Sequence, residues 1–322
     1  MSALVSIIVA SYNKEKFISE TINSVINQSY KHWELIIVDD CSTDSTASII
    51  SEFVNNDNRI SMYRNINNRG ANFSRNYALN IAKGEFVIFL DADDLLVETC
   101  IEKRLRVIEN SVYDFCVFTM GVFKHKIGDS KFLWQPNSKK PLVDFLQHKL
   151  PWSILQPIWT KNVLLKLNGF DEDFMRLQDV ELNSRALLIP QIRFDQVIEN
   201  PDCYYRIDNA RKNFDQYVFL QKWIDSALKY YGKFYLLAKP KRLNKNLLGT
   251  IYATYIQVLY SYKTKEISKM EYIELKCRLI NPEIIGEIKF KTRVCFFLAT
   301  TFNLLPFRVP GVNFVLSRLI VY

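Results

Sequence analysis

An α/β fold is predicted by this 322-residue sequence: a doubly wound, mainly parallel sheet with helices on both faces, followed by a C-terminal helical appendage. Three observations carry that prediction. Short runs of β-branched and aromatic residues alternate with stretches whose apolar positions recur at helical spacing. The apolar runs are nearly continuous, as in strands buried on both faces. From residue 243 onward the strand pattern stops and helical spacing takes over.

Residues 4–10 (Leu-Val-Ser-Ile-Ile-Val-Ala) read as the first strand, and Ser11-Tyr12-Asn13-Lys14 as the turn that ends it. In residues 15–28, Phe17, Ile18, Ile22, Val25 and Ile26 mark a helix. Residues 33–38 form the second strand, which ends in Asp39 and Asp40. Ser42-Thr43-Asp44-Ser45-Thr46 then supplies N-cap chemistry for a helix through about residue 54. Residues 60–64 make a third strand, residues 71–82 a third helix, and residues 86–90 (Phe-Val-Ile-Phe-Leu) the central strand. Such alternation implies right-handed crossovers between parallel strands.

The central strand ends in Asp91-Ala92-Asp93-Asp94, three carboxylates within four residues. Like charges this close are tolerated in water or beside a cation, and open α/β sheets bind ligands at the carboxyl ends of their strands. The cluster therefore reads as a metal and nucleotide site. The plainer alternative is that these acids cap a helix starting near Val97, as Asp39 and Asp40 would cap theirs. Gly-x-Gly-x-x-Gly does not follow the first strand and no P-loop motif occurs, which argues against a dinucleotide or P-loop site. Carboxylates accept hydrogen bonds from a base N–H and from ribose hydroxyls, and they suit Mg2+ or Mn2+ bridging a diphosphate. A pocket for a nucleoside diphosphate is the expectation.

Composition narrows the class. With 48% hydrophobic residues the chain can bury a full core. Six scattered cysteines without Cys-x-x-Cys, and only three histidines, argue for a reducing compartment and against zinc. No basic signal-peptide region precedes the first strand, so the expected location is cytoplasmic. The formal charge of +8 is unevenly spread. Residues 229–322 hold 16 Lys and Arg against 5 Asp and Glu, a net of +11, leaving −3 for residues 1–228. No nucleic-acid module is recognisable, and a basic, apolar tail suits an anionic membrane surface better.

The motifs in order carry a resemblance. Residues 5–13 (Val-Ser-Ile-Ile-Val-Ala-Ser-Tyr-Asn), residues 34–40 (Glu-Leu-Ile-Ile-Val-Asp-Asp) with residues 42–46, Asn68-Arg69-Gly70 with Ser74-Arg75-Asn76, and Asp91-Ala92-Asp93-Asp94 together resemble the family 2 glycosyltransferases of GT-A fold. The likeness is close over residues 3–110 and weaker to about residue 210. It implies that Ala10, Tyr12 and Asp40 contact the nucleotide base, most often uracil, with Arg75 near the nucleotide. Asp91 and Asp93 match the Asp-x-Asp motif, Asp91 on the nucleotide and Asp93 on a divalent metal, Mn2+ or Mg2+. Asp94 can share the metal role.

Further along, Gly169-Phe170-Asp171-Glu172 and then Gln178-Asp179 resemble the family's Gly-Phe-Asp-Glu stretch and its Glu-Asp pair, whose Asp is the general base. Gln178 stands where Glu is usual. Asp179 is kept, with Glu181 as the fallback base; both also read as first-turn helix acids. The implied enzyme is an inverting, metal-dependent hexosyl- or N-acetylhexosaminyltransferase. The resemblance implies a nucleotide-sugar donor, UDP-linked, and as acceptor a growing glycan or lipid-linked glycan of a bacterial surface. A sugar-phosphate nucleotidyltransferase would carry a glycine-rich basic loop after the first strand, and residues 10–14 contain no glycine. A catalytically inactive nucleotide-sugar-binding scaffold is the other alternative.

The expected domains are residues 1–228, catalytic, with a nucleotide-sugar half over 1–110 and an acceptor half over 111–228, and residues 229–322, basic and helical. Residues 114–123 read as one strand and residues 129–152 as loops. Trp134, Trp152 and Trp159 suit either sugar stacking or the core. Helices are expected over residues 161–167, 180–189, 215–231, 247–262 and 271–279. Residues 294–305 are apolar up to Pro306, short of the roughly 20 residues a spanning helix needs. Lys289, Lys291, Arg293, Arg308 and Arg318 flank that run, so it reads either as lying on a membrane or as packing on the core or on a second subunit of a homodimer.

Overall fold

The computed structural model describes residues 2–207, 215–280, 290–304 and 311–321. Lys289, Pro306 and Arg308 lie outside them. Strands β1 (Val5–Ser11), β2 (Trp33–Asp39), β3 (Ile60–Arg64) and β4 (Phe86–Asp91) alternate with helices α1 (Ile18–Ile26), α2 (Thr46–Asn56) and α3 (Ala71–Ile81). After β5 (Leu95–Leu96) and α4 (Cys100–Ile108) come β6 (Phe115–Phe118), β7 (Met120–Phe123) and β8 (Leu133–Trp134). Next are α5 (Pro141–Leu146), β9 (Pro157–Thr160), α6 (Lys161–Lys166), α7 (Gln178–Leu188), β10 (Phe194–Val197) and β11 (Cys203–Arg206). The remaining helices are α8 (Gln216–Ala238), α9 (Leu248–Lys263), α10 (Lys269–Leu279), α11 (Phe290–Leu304) and α12 (Val312–Val321).

Seven strands form a mixed, mostly parallel sheet in the order β10-β6-β9-β4-β1-β2-β3, with β9 antiparallel between β4 and β6. The order runs outward from β1 through β2 to β3, then jumps to the other side of β1 for β4. That reversal is the switch point at which open sheets bind ligands. Register fixes what meets there: Ala10 pairs with Asp91 across β1 and β4, Ser11 with Asp39 across β1 and β2, and Asp39 with Arg64 across β2 and β3. Val5, Ile7 and Val9 share one buried cluster with Ile18, Ile22, Ile50, Ile101 and Leu105, so the period-two pattern of β1 seats the helices.

Residues 114–123 are not one strand. The run breaks at Thr119, and its halves enter different sheets: β6 the large one, β7 a four-stranded sheet ordered β5-β11-β7-β8. Both halves are buried, which is why apolarity alone hides the break. The acids after β4 do not cap a helix either, since α4 begins at Cys100 behind Thr99. Trp152 and Trp159 are core residues, their rings 6.2 Å and 4.3 Å from Phe115. The loops expected over residues 129–152 contain β8 and α5.

The chain divides into two compact units. The first comprises Met1–Lys139, Pro151–Glu172 and Arg185–Asn209 and holds both sheets. Inside it, Arg104 and Asp202 form a fully buried bidentate pair at 2.8 Å; burial works against the Arg104 charge, but the Asp202 carboxylate outweighs it and keeps the guanidinium firmly protonated. The second comprises Lys140–Leu150, Asp173–Ser184 and Ala210–Tyr322. There α8 buries Tyr230, Tyr231 and Phe234, so the boundary expected between residues 228 and 229 falls inside one continuous helix. No described helix is long and apolar enough to cross a membrane.

Candidate active site

The loops after β1 and β2 are built on each other. Asn13 and Cys41 both have left-handed backbones, at φ 50° and 64°. The Asn13 N–H donates to Ser42 Oγ (2.9 Å), Asn13 Oδ1 accepts from the Thr43 N–H (2.8 Å), and the Lys14 N–H donates to Thr46 Oγ1 (2.7 Å). Three short contacts hold two strand ends at fixed separation, which explains why Ser-Tyr-Asn and Ser-Thr-Asp-Ser-Thr occur at those places. Tyr12 projects outward from this lattice, largely exposed, and Ala10 is half-buried beside Asp91.

Asp40 is buried and organises the next loop. Its Oδ1 accepts from Asn65 Nδ2 (2.7 Å) and the Arg69 N–H (2.9 Å), and its Oδ2 from the Gly70 N–H (2.8 Å). Each carboxylate oxygen has two lone pairs, so Oδ2 keeps acceptor capacity. Asp39, fully buried next to it, takes the Arg64 Nε (3.1 Å) and the Ser42 N–H (3.2 Å) on Oδ2, while Oδ1 has no hydrogen-bond partner. An unmatched buried acceptor at a sheet edge suits an incoming N–H donor.

The Asp-x-Asp carboxylates each meet a cation. Arg75, on α3, donates to Asp91 Oδ1 (2.7 Å), and Lys14 Nζ contacts Asp93 Oδ2. Both acids stay accessible, their side chains 35% and 16% exposed. Asp94 does not: it is 1% exposed, and its Oδ1 accepts from the Arg206 N–H (2.8 Å). Burial, then the Asp91 and Asp93 charges, push its carboxyl well above the usual range. Asp94, which the resemblance allowed a share in a metal site, thus faces the interior, whereas Asp91 and Asp93 stay open to solvent.

Arg206 is the residue that sequence reading missed. Its Nε donates to the Asp93 carbonyl (2.8 Å), its NH2 to Glu20 Oε2 (2.5 Å), and its guanidinium lies 4.8 Å and 4.4 Å from the Phe17 and Phe123 rings. A buried cation so held fixes the backbone that carries Asp93. The only signal was Tyr-Tyr-Arg closing a short apolar run.

The Gly-Phe-Asp-Glu stretch is a clasp on α3. Asn76 Oδ1 accepts from the Phe170 N–H (2.8 Å), Asn76 Nδ2 donates to the Phe170 carbonyl (2.9 Å), and Asn72 Nδ2 donates to the Asp171 carbonyl (2.8 Å). Gly169 is left-handed, and a Cβ there would fall 2.2 Å from Asn76 Oδ1. The clasp sets the Phe170 ring against Phe89 (4.9 Å) and under the Arg75 guanidinium (5.3 Å).

In the second unit, Asp179 is the second residue of α7 and half-buried, entered through the left-handed Leu177 at φ 59°. Its carbonyl accepts from Asn183 Nδ2 (2.7 Å). Glu181 is fully buried and ion-paired with Lys233 Nζ at 2.6 Å, which ties up the fallback base.

Among the described residues no three metal-ligating side chains cluster. Two accessible carboxylates nevertheless fit Mg2+ or Mn2+, which commonly take one or two protein carboxylates and complete their shell with phosphate oxygens and water. The Lys14 ammonium is then a competitor for Asp93.

The doubly wound sheet with paired acids at its switch point is the architecture of GT-A glycosyltransferases. The chain belongs to one family of that class: the profile described as "Glycosyl transferase family 2" matches residues 6–174. Over 140 residues it is 41% identical to TuaG of Bacillus subtilis, a putative teichuronic acid biosynthesis glycosyltransferase; this spans 42% of the chain and 54% of that relative. It is 43% identical over 105 residues to the Escherichia coli UDP-Glc:alpha-D-GlcNAc-diphosphoundecaprenol beta-1,3-glucosyltransferase WfgD, covering 33% of the chain and 41% of WfgD. The chain therefore matches about half the length of these curated relatives. Staphylococcus aureus TarS 1-349, crystallised with UDP-GlcNAc, shares the fold with a TM-score of 0.65 at 19% identity, over 93% of this chain and 89% of TarS 1-349.

Proposed function

We propose that this glycosyltransferase moves a hexosyl or N-acetylhexosaminyl group from a UDP-sugar, with inversion, to a hydroxyl of a lipid-linked glycan at the inner face of the cytoplasmic membrane. The observation that carries the reading is the pair Asp91 and Asp93, accessible at the switch point and each held by a cation. The UDP-Glc and diphosphoundecaprenol in the name of WfgD support the donor and acceptor classes.

Tyr12 offers its ring to the base, and Ala10 leaves room beside it. Asp40 Oδ2 has the lone pair for a base N–H, and Asp39 Oδ1 is a second buried acceptor. Asp91 takes the ribose hydroxyls. Arg75 and Lys14, already beside the acids, meet the diphosphate. Asp93, with Asp91, would hold a divalent cation, whose chemistry is to neutralise charge growing on the leaving diphosphate.

Asp179 accepts the proton of the acceptor hydroxyl while that oxygen bonds to the anomeric carbon. The bond from that carbon to the phosphate oxygen breaks, and the diphosphate leaves with the electron pair. One inversion results and no covalent intermediate forms. Excluding water protects the donor from hydrolysis.

The test is nucleoside diphosphate release from a panel of nucleotide sugars with Mn2+, with Mg2+ and with EDTA. Release from a UDP-sugar that EDTA suppresses is expected. Release unaffected by EDTA removes the metal role of Asp93. No release, together with no nucleotide binding by calorimetry, overturns the reading.

A further inference from the structure

The last two helices present an apolar face that nothing in the described structure covers. On α12, Leu316 and Ile320 point inward and are buried, whereas Phe314 (61% exposed), Val315 and Leu319 (42%) point out. Positions 314, 315, 318 and 319 share one side of a helix, and the Arg318 guanidinium lies 4.4 Å over the Phe314 ring. On α11, Cys295, Phe296 and Ala299 face inward and Phe297 (69% exposed) and Leu304 face out.

The hairpin behind this face is firmly held. Asn303 and Asn313 exchange two hydrogen bonds (2.8 Å and 3.0 Å), and the Tyr252 hydroxyl, from α9, donates to Asn313 Oδ1 (3.2 Å). The outward aromatics are therefore displayed by a packed scaffold. A crevice of about 270 Å³ opens next to Phe314, and Lys263 lines it with Asn303 and Asn313. Cations thus border the apolar residues, Arg318 on the hairpin itself and Lys263 at the end of α9 beside it.

We infer that this α11–α12 face docks on an anionic phospholipid surface, with Phe314, Val315 and Leu319 entering the headgroup boundary and Arg318 and Lys263 meeting lipid phosphate. With 10 and 15 residues, the helices are too short to span and suit an in-plane position. Charge decides against a second copy as occupant. An isologous pairing would press two copies of the same cation-bordered face together, on a segment of net +11. Docking would bring the enzyme to a lipid-linked acceptor; that use rests on the acceptor reading, the surface does not.

The test floats the full chain with phosphatidylcholine vesicles, with and without phosphatidylglycerol, at low and high salt. Binding to the anionic vesicles, weakened by salt, is expected. The double variant Phe314→Ser/Leu319→Ser should bind at least ten-fold more weakly, and Arg318→Gln, which removes an exposed charge and its contact with the Phe314 ring, several-fold more weakly with a shallower salt dependence. Unchanged UDP binding by calorimetry verifies that the variants are folded. Wild-type protein that stays with the lipid-free fraction, or a double variant that floats like wild type, overturns the assignment. So does light scattering that shows a dimer which the double variant converts to monomer. Flotation needs neither donor nor turnover, so its failure and that of sugar transfer are read separately.

Discussion

Lys14 puts its ammonium on the carboxylate that a divalent ion would use, and replacing it with an uncharged chain of similar reach frees that ligand. Lys14→Met should bind Mn2+ roughly five-fold or more tighter in a paramagnetic resonance titration, the size of one unscreened neighbouring charge. Unchanged affinity would mean that Lys14 does not compete. Asp93→Ala should abolish metal-dependent transfer, whereas Asp179→Asn should keep UDP affinity and lose on the order of a hundred-fold or more in kcat. Native turnover in Asp179→Asn would discard the base assignment. His148 gives a pH prediction. Burial lowers its pKa to about 4, from about 6.5 in an open chain. The folded state then binds fewer protons than the unfolded one, so stability is fully present above pH 6.5 and falls as pH drops toward 4. The difference amounts to about 3 kcal/mol. His148→Asn tolerates the left-handed backbone at φ 57° and cannot titrate, so its melting temperature should fall less than that of wild type over that interval. Tyr12, Asp40 and Asp93 stood out because each follows its own strand within a few positions. Arg206 was not, because it reaches Asp93 from 113 residues away.

At the scale of elements, the clasp between α3 and the segment after α6 is the clearest target. Gly169→Ala puts a methyl against Asn76 and forces a residue with a side chain to keep φ 64°. The expected outcome is a loss of about 1–3 kcal/mol in denaturant melts, with weaker UDP binding because Phe170 and Arg75 move together. Full UDP affinity in this variant would show the clasp to be unconnected with the donor site. The split of residues 115–123 between two sheets was not legible. Phe115 to Phe118 and Met120 to Phe123 are all buried, and a pattern rule senses burial, not the partner. Helix α5 escaped for the opposite reason: six residues opened by proline show too little periodicity. The repeats of strand and helix up to β4 stood out because each spans a whole crossover.

For the whole molecule, the second unit gathers three separate stretches of chain. Residues 140–150 reach the C-terminal helices through Gln147 Nε2 on Asn246 Oδ1 (2.7 Å) and Thr250 Oγ1 on the Leu146 carbonyl (3.0 Å). Residues 173–184 reach them through Ser184 on the Tyr230 hydroxyl (2.6 Å) and through Glu181 on Lys233. A chain ended at residue 228 keeps Glu181 buried in sequence yet removes its counter-charge, a change of the kind that costs about 3–5 kcal/mol. It should lose its cooperative thermal transition and its transferase activity together. A cooperative melt at the full-length temperature would show that the first 228 residues stand alone. The basic bias of the tail was readable from composition. Its interleaving with the helix that carries Asp179 was not, because packing between distant segments leaves no local period.

The Glu181–Lys233 contact also bears on recombination. Exchanging tails among relatives is an obvious way to alter which acceptor such an enzyme takes. A crossover placed anywhere between Ser184 and Tyr230 would pair one parent's acid with whatever the other parent carries at position 233. Hybrids should therefore be cut so that Glu181, Ser184, Tyr230 and Lys233 come from a single ancestor. Libraries built that way should yield more soluble chimeras than libraries cut at the composition boundary.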